Sequence, residues 1–241
     1  MLTRDEVEKI IVELKNSQSC YVSEAHIQLQ FAIIGARLLG NQFDFIPEFP
    51  GHTAYSTNAE QKTEFDLLVF DKKTGHKTLI EFKYKTKNEV QKNKQRMQYP
   101  VVLGGTLQLA NHGAQNLNRY DCWRDIYRIE QNVKHKDVNN GFFIFVTNDM
   151  AYIKKDGSNS VFCKEDDFSL KPGKHNSQTK KVDPNVKDSS AGAFRKSNPI
   201  IIENDYYFEY KDFQDFKTDN VNEPYNKFWY LLVEIESLNE R

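Results

Sequence analysis

Asp66, Glu81 and Lys83 are the residues of this 241-residue chain whose types and spacing could do chemistry. Glu81 and Lys83 fall in TLIEFKYKT (78–86), which otherwise reads as an apolar β-strand, and strands favour Val, Ile or Phe at such centres. Strand side chains alternate in direction, so Leu79, Glu81, Lys83 and Lys85 share one face and Ile80, Phe82 and Tyr84 the other. In EFDLLVFD (64–71), Asp66, Leu68 and Phe70 share a face, with Phe65, Leu67 and Val69 opposite. If KKTG (72–75) closes a hairpin as a four-residue loop, with Gly75 at a left-handed turn position, Lys77 pairs with Phe70 and Glu81 with Asp66. Two carboxylates then stand roughly 5 Å apart at Cβ, which destabilises a sheet unless a proton or a cation lies between them. A one-residue slip would scatter the group, so the reading rests on the loop.

Two outcomes fit such a cluster. Lys83 can neutralise one acid in a solvated salt-bridge patch. Alternatively, Asp66, Glu81 and the backbone carbonyl of Phe82 offer the oxygen ligands that Mg²⁺ prefers, with positions left for water and a phosphate. A neighbouring Lys then orients or deprotonates a water, or steadies the charge of a pentavalent phosphorus, which is chemistry suited to hydrolysis of a phosphodiester.

The arrangement resembles the PD-(D/E)XK nuclease superfamily, restriction-endonuclease-like enzymes whose site lies on a hairpin. Asp66 matches the first acid and Glu81-Phe82-Lys83 matches E-X-K, while Phe65 stands where the motif's proline would be. The resemblance implies catalytic roles for Asp66, Glu81 and Lys83. It also implies a metal site formed by Asp66, Glu81, the Phe82 carbonyl and Glu24, the counterpart of a glutamate on the helix before the hairpin. Mg²⁺ is the implied cofactor, with Mn²⁺ able to substitute, and nucleic acid, DNA before RNA, the implied partner. A helix after E-X-K often adds a Gln, Arg or Tyr, and GAQNLNRYD supplies Gln115, Arg119 and Tyr120. The chain is also similar to an uncharacterised bacterial group with this core, in which a GRYD…DI…E type of helix leads into an apolar strand ending as Thr147-Asn148-Asp149 does here.

These side chains need elements to hold them. Val7, Ile10, Ile11 and Leu14 are spaced for an amphipathic helix over 4–16. Ser23 then caps a second helix over 24–39, apolar round much of its circumference and expected to be largely buried, which ends at Gly40. Glu24 and Gln28 lie one turn apart on it, in line with Phe31 and Gly35. Glu24 equally suits the helix dipole as a first-turn acid, and Gln28 could reach a phosphate or only a neighbouring backbone. FDFIPEFP (43–50) reads as an edge strand, because Pro47 and Pro50 cannot donate to a ladder; Glu48 on it is expected to face solvent, though it could approach the metal from the side. Residues 113–133 read as a helix, on which Arg119 could instead form a surface pair with Asp121 or Asp125. NGFFIFVTND (140–149) reads as a strand buried on both faces. Helix, strands, helix and buried strand predict an α/β (α+β) fold with a mixed sheet flanked by helices, restriction-endonuclease-like under the resemblance. The expected organisation is one domain: a core over 1–165, a long polar and mobile loop over 166–198, and C-terminal strands over 199–241.

Composition bounds the rest. At 39% hydrophobic, the chain can build a sizeable core. No run approaches the roughly 20 apolar residues that span a bilayer, so no membrane partner is expected. Cys20, Cys122 and Cys163 lack metal spacing, and with an acid-containing N-terminus they point to a cytoplasmic protein. A net charge of −1 gives no global pull towards polyanions. The charge is uneven, however: residues 71–96 hold nine Lys/Arg against three Asp/Glu, beside the candidate site, whereas 203–241 hold four against ten. Lys85 and Lys87 could follow a nucleic-acid backbone from there. A homodimer is compatible with all of this. No phosphate-cradling glycine motif and no nucleophile elbow is present.

Overall fold

The computed structural model describes residues 1–16, 19–51, 63–88, 98–101, 104–154, 168–182, 198–216 and 225–237. Thr3 starts helix α1 (Arg4–Lys15) with a reciprocal capping box: its hydroxyl accepts from Glu6 N, and Glu6 accepts from Thr3 N at 2.8 Å. Ser23 caps α2 (Glu24–Leu39) by accepting from His26 N at 3.1 Å, and Gly40 ends it at a φ of 67°. The 3₁₀ turn Gly40–Gln42 leads into β1 (Phe43–Gly51), which runs antiparallel to β2 (Thr63–Asp71). Strand β3 (Lys77–Lys85) pairs antiparallel with β2, and a small pair, β4 (Tyr99–Pro100) with β5 (Thr106–Leu107), follows. Helix α3 (Gln115–Lys134) then crosses over to β6 (Asn140–Thr147), parallel to β3 from Thr78↔Asn140 to Lys85↔Thr147.

After the 3₁₀ turn Met150–Tyr152 come β7 (Gly173–His175), β8 (Gln178–Lys180), β9 (Ile200–Ile202) and β10 (Tyr206–Phe208), then β11 (Tyr210–Asp215) and β12 (Lys227–Glu236). The sheet is mixed, as the pattern of helices and strands predicts; it has six strands in the order β1-β2-β3-β6-β12-β11, while β7 pairs with β10 and β8 with β9 outside it. One correction concerns the C-terminal third. The part of 166–198 that is described includes two strands, anchored by buried Phe168, Leu170 and Val182; a few apolar residues suffice where the polar composition suggested a loop. The C-terminal strands join the main sheet, where β12 lies between β6 and β11. Cys163, residues 89–97 and residues 183–197 fall outside the described residues.

Helices α1 and α2 cover one sheet face, where Leu67, Val69, Ile80, Phe82 and Tyr84 are buried; α3 covers the other, over Leu68, Leu79, Phe143 and Phe145. The outer side of α2 departs from expectation. It buries Ile27, Gln28, Phe31 and Gly35 but leaves Leu29 and Ile33 about half exposed, because α1 and the sheet cover only one side of it. Phe65 departs too: it packs on the α3 face with Leu68 rather than with Leu67 and Val69. Pairing with β1 skips Asp66 there, opposite Glu48 at a φ of 50°, and the ladder with β3 ends at Leu67. Among the described residues, no helix is long and apolar enough to cross a membrane.

Candidate functional site

The turn between β2 and β3 fixes the register. Asp71 N donates to His76 O at 2.8 Å, Gly75 N donates to Asp71 O at 2.7 Å, and Gly75 has a φ of 75° that suits a residue without Cβ. The Asp71 carboxylate ties the loop further, accepting from Lys73 N and from the Thr74 hydroxyl. Phe70 therefore faces Lys77 and Leu67 faces Ile80, so continuing the count sets Asp66 opposite Glu81. The ladder ends at Leu67–Ile80, and beyond it the β3 edge is served by side chains. Asp66 Oδ2 accepts from Phe82 N at 2.6 Å, and Glu24 Oε2 accepts from Tyr84 N at 2.8 Å. Two carboxylates thus take the places that carbonyls of a neighbouring strand would fill.

Glu81 and Lys83, on the α3 face, meet two residues of that helix. Lys83 Nζ lies 2.7 Å from Asp125 Oδ2, 3.5 Å from Glu24 Oε1 and 3.1 Å from the Phe82 carbonyl oxygen. Arg128 approaches Glu81 Oε1 at 3.2 Å and Asp125 Oδ1 at 3.3 Å, donates to Glu64 O at 2.5 Å, and covers the Phe65 ring with its guanidinium carbon 4.5 Å from the centroid. Glu81 and Asp125 are almost wholly buried, at 2% and 1% exposure. Arg128 donates to Asp125 Oδ1, while its contact with Glu81 is ionic, and Glu81 Oε1, Asp125 Oδ2 and Arg128 Nε are left buried without a hydrogen bond.

The charges do not balance. Glu24, Asp66, Glu81 and Asp125 gather round Lys83 and Arg128, two negative charges in excess. Burial, and then the Asp125 charge, push Glu81 well above the ordinary carboxylate range, although Arg128 opposes them. Burial also raises Asp66, with its Phe82 N–H bond and Lys83 pulling the other way. For Lys83, burial favours the neutral amine, but Asp125, Glu24 and Glu81 outweigh it and hold the ammonium above the ordinary lysine value.

Sequence reasoning placed Asp66, Glu81, Lys83 and Glu24 together, and the structure brings them together. Gln28 serves the backbone: it donates to Asp66 O and lies 3.4 Å from Glu48 Oε1. Glu48 is exposed, as expected. Lys85 is half-buried at the end of β3, and Lys87, just past it, extends its ammonium over the Tyr225 ring. The three residues chosen from α3 have their contacts elsewhere. Gln115 donates to Asp149, and Arg119 bonds Asn116 and Ala151 O beside the Tyr152 ring. Tyr120 is a core residue whose hydroxyl donates to Asn198 O. They lie on the first turns of the helix, whereas Asp125 and Arg128, further along, are the residues that cross to β3. The missed signal was a carboxylate at apolar-face spacing, Cys122-Asp125-Ile129, followed by Arg three residues on.

In kind, the donors fit a hard divalent cation: all are oxygens, and their excess charge equals one such ion. In position they are not gathered for it, because among the described residues no three His, Cys, Asp or Glu side chains form a group that could hold a metal ion. The two cysteines among the described residues are unreactive, since burial pushes the Cys20 thiol up to about 12 and the Cys122 thiol upward as well. No family model, no curated protein and no solved structure matches this chain.

Proposed function

We propose that the chain is a metal-dependent phosphodiesterase of the PD-(D/E)XK type that hydrolyses nucleic acid, with DNA as the favoured substrate. The observation that carries this reading is the seating of Asp66 and Glu24 on the unpaired N–H groups of β3, beside Glu81 and Lys83 of the same strand. The succession of α2, the acid-bearing hairpin and α3 supports it, since the resemblance asks for a glutamate before the hairpin and a contributing helix after it. Asp66, Glu81, Glu24 and the Phe82 carbonyl would hold Mg²⁺ or Mn²⁺. Such an ion supplies Lewis acidity and a bound water of lowered pKa. Lys83 remains an ammonium at neutral pH, so its part is to orient water and offset negative charge on the phosphoryl oxygens rather than to accept a proton. Lys85 and Lys87 extend the positive charge beyond the site, towards the polymer's phosphates.

The test is cleavage of plasmid, linear, single-stranded and branched DNA and of RNA by purified protein, with and without Mg²⁺ or Mn²⁺. We expect ion-dependent cleavage that falls on the order of a hundredfold in Lys83→Ala. Equal cleavage by the variant would assign the activity to another site or to a contaminant. One observation favours a second reading, a catalytically silent protein on this fold that binds nucleic acid or a protein: Arg128 and Lys83 already pair the buried acids. Absence of cleavage on every substrate, together with no stabilisation by either ion, would select it.

A further inference from the structure

Beyond Leu67–Ile80 the amides of Phe82, Tyr84 and Thr86 lie along the edge of β3 that β2 has left. Side chains from three separate segments take them in turn: Asp66 at 2.6 Å, Glu24 at 2.8 Å and His112, through Nδ1, at 3.0 Å. The hold on His112 is closed from both sides. Its own amide donates to Thr86 O at 2.8 Å, and the hydroxyl of the buried Thr86 donates to Ala110 O at 2.6 Å. A backbone N–H can only donate, so Nδ1 accepts and the proton of the neutral ring sits on Nε2. Burial, and then the Lys85 charge, hold the imidazole below the ordinary histidine value, which keeps it neutral at neutral pH. The ring is half-buried, and among the described residues no hydrogen-bond partner takes Nε2.

Serving the Thr86 amide requires only an acceptor, as the two carboxylates on the preceding amides show. An imidazole there adds a donor whose orientation the clamp fixes. Over two residues of strand, about 7 Å, the edge thus changes from carboxylates to a neutral N–H, with half-buried Lys85 and Lys87 on the same stretch of chain. Phosphate is repelled by the first and matched by the second. We infer that His112 is a phosphate-binding residue, whose Nε2–H donates to a phosphate flanking the scissile one while Lys85 and Lys87 supply charge. The inference rests on the nucleic-acid reading above, adds one contact to it and requires no metal ion.

The experiment is fluorescence anisotropy of a labelled single-stranded oligodeoxynucleotide, and of its duplex, titrated in EDTA with the full-length protein. Wild type is compared with His112→Asn, His112→Gln and His112→Ala, each melted first to verify folding. Asn can still accept from Thr86 N through Oδ1 but has no donor at the Nε2 position, whereas Gln supplies that donor and gives up the acceptor. The Asn and Ala variants are expected to bind about tenfold more weakly than wild type, and the Gln variant to stay within about threefold. If the Asn variant does not fold, the contrast of Ala with Gln carries the test. The dependence of log Kd on log salt should be the same in His112→Asn as in wild type, because the lost donor is neutral; a slope lower by about 1 would mean a charged contact and overturns the inference. Wild-type affinity in the Asn or Ala variant also overturns it, as does equal loss in Gln and Asn, which would leave His112 the clamping role alone. In those cases wild type still binds DNA and the nucleic-acid reading stands. Failure of wild type to bind either DNA overturns both.

Discussion

Glu81 shows what single residues contribute. Its folded pKa lies above the ordinary value of 4.5, mainly through burial and the neighbouring Asp125 charge. Between those two values the native state holds more protons than the unfolded chain, so this group's contribution to stability falls as pH rises through that window. Glu81→Gln removes the ionisation and leaves Arg128 paired with Asp125. In EDTA the variant should be more stable than wild type at pH 8, with the gap narrowing as pH falls towards 4.5. Urea denaturation at pH 5.5 and 8 measures this, and a gap that does not depend on pH would refute it. Asp66, Glu81 and Lys83 were legible because a local turn around Gly75 sets their register. Arg128 was not, because its role depends on how α3 is rotated and placed against β3, which no local rule determines.

For elements, the contact between α3 and the sheet governs the site. Gly141 of β6 lies under Ile129 so closely that a Cβ would stand 2.2 Å from its Cγ2 and 3.0 Å from the Leu79 carbonyl oxygen. Gly141→Ala should destabilise the protein by about 1–3 kcal/mol, the usual range for overpacking, as read by urea denaturation. It should also lift α3, with Asp125 and Arg128, away from Lys83 and Glu81, so a neutral substitution would show that helix and sheet are less tightly coupled than drawn here. Sequence periodicity located α1, α2, α3 and the strands β1, β2, β3 and β6. It misjudged the outer side of α2, since an apolar stripe does not reveal how many neighbours cover it. On α3 the resemblance pointed to Gln115, Arg119 and Tyr120, whereas Tyr120 packs in the core.

Across the whole molecule, the C-terminal segment completes the sheet. Trp229–Glu236 pair with Asn140–Thr147, and Leu231, Val233 and Ile235 are buried. A chain ending at residue 198 would bare the ladder of β6 and its apolar neighbours, so it should be insoluble or lack a cooperative thermal transition by circular dichroism. A soluble, cooperatively melting 1–198 fragment would contradict this. The polar run before that segment concealed its few anchors, which is why the sequence suggested a loop there. The two outermost strands carry a further consequence. On β1, Pro47 and Pro50 lack an amide proton and Glu48 bends the chain at a φ of 50°; on β11 the register shifts between Asp212 and Gln214. Neither rim offers a straight, fully donating row for a foreign strand, so the sheet is guarded against growing into fibrils by edge-to-edge pairing.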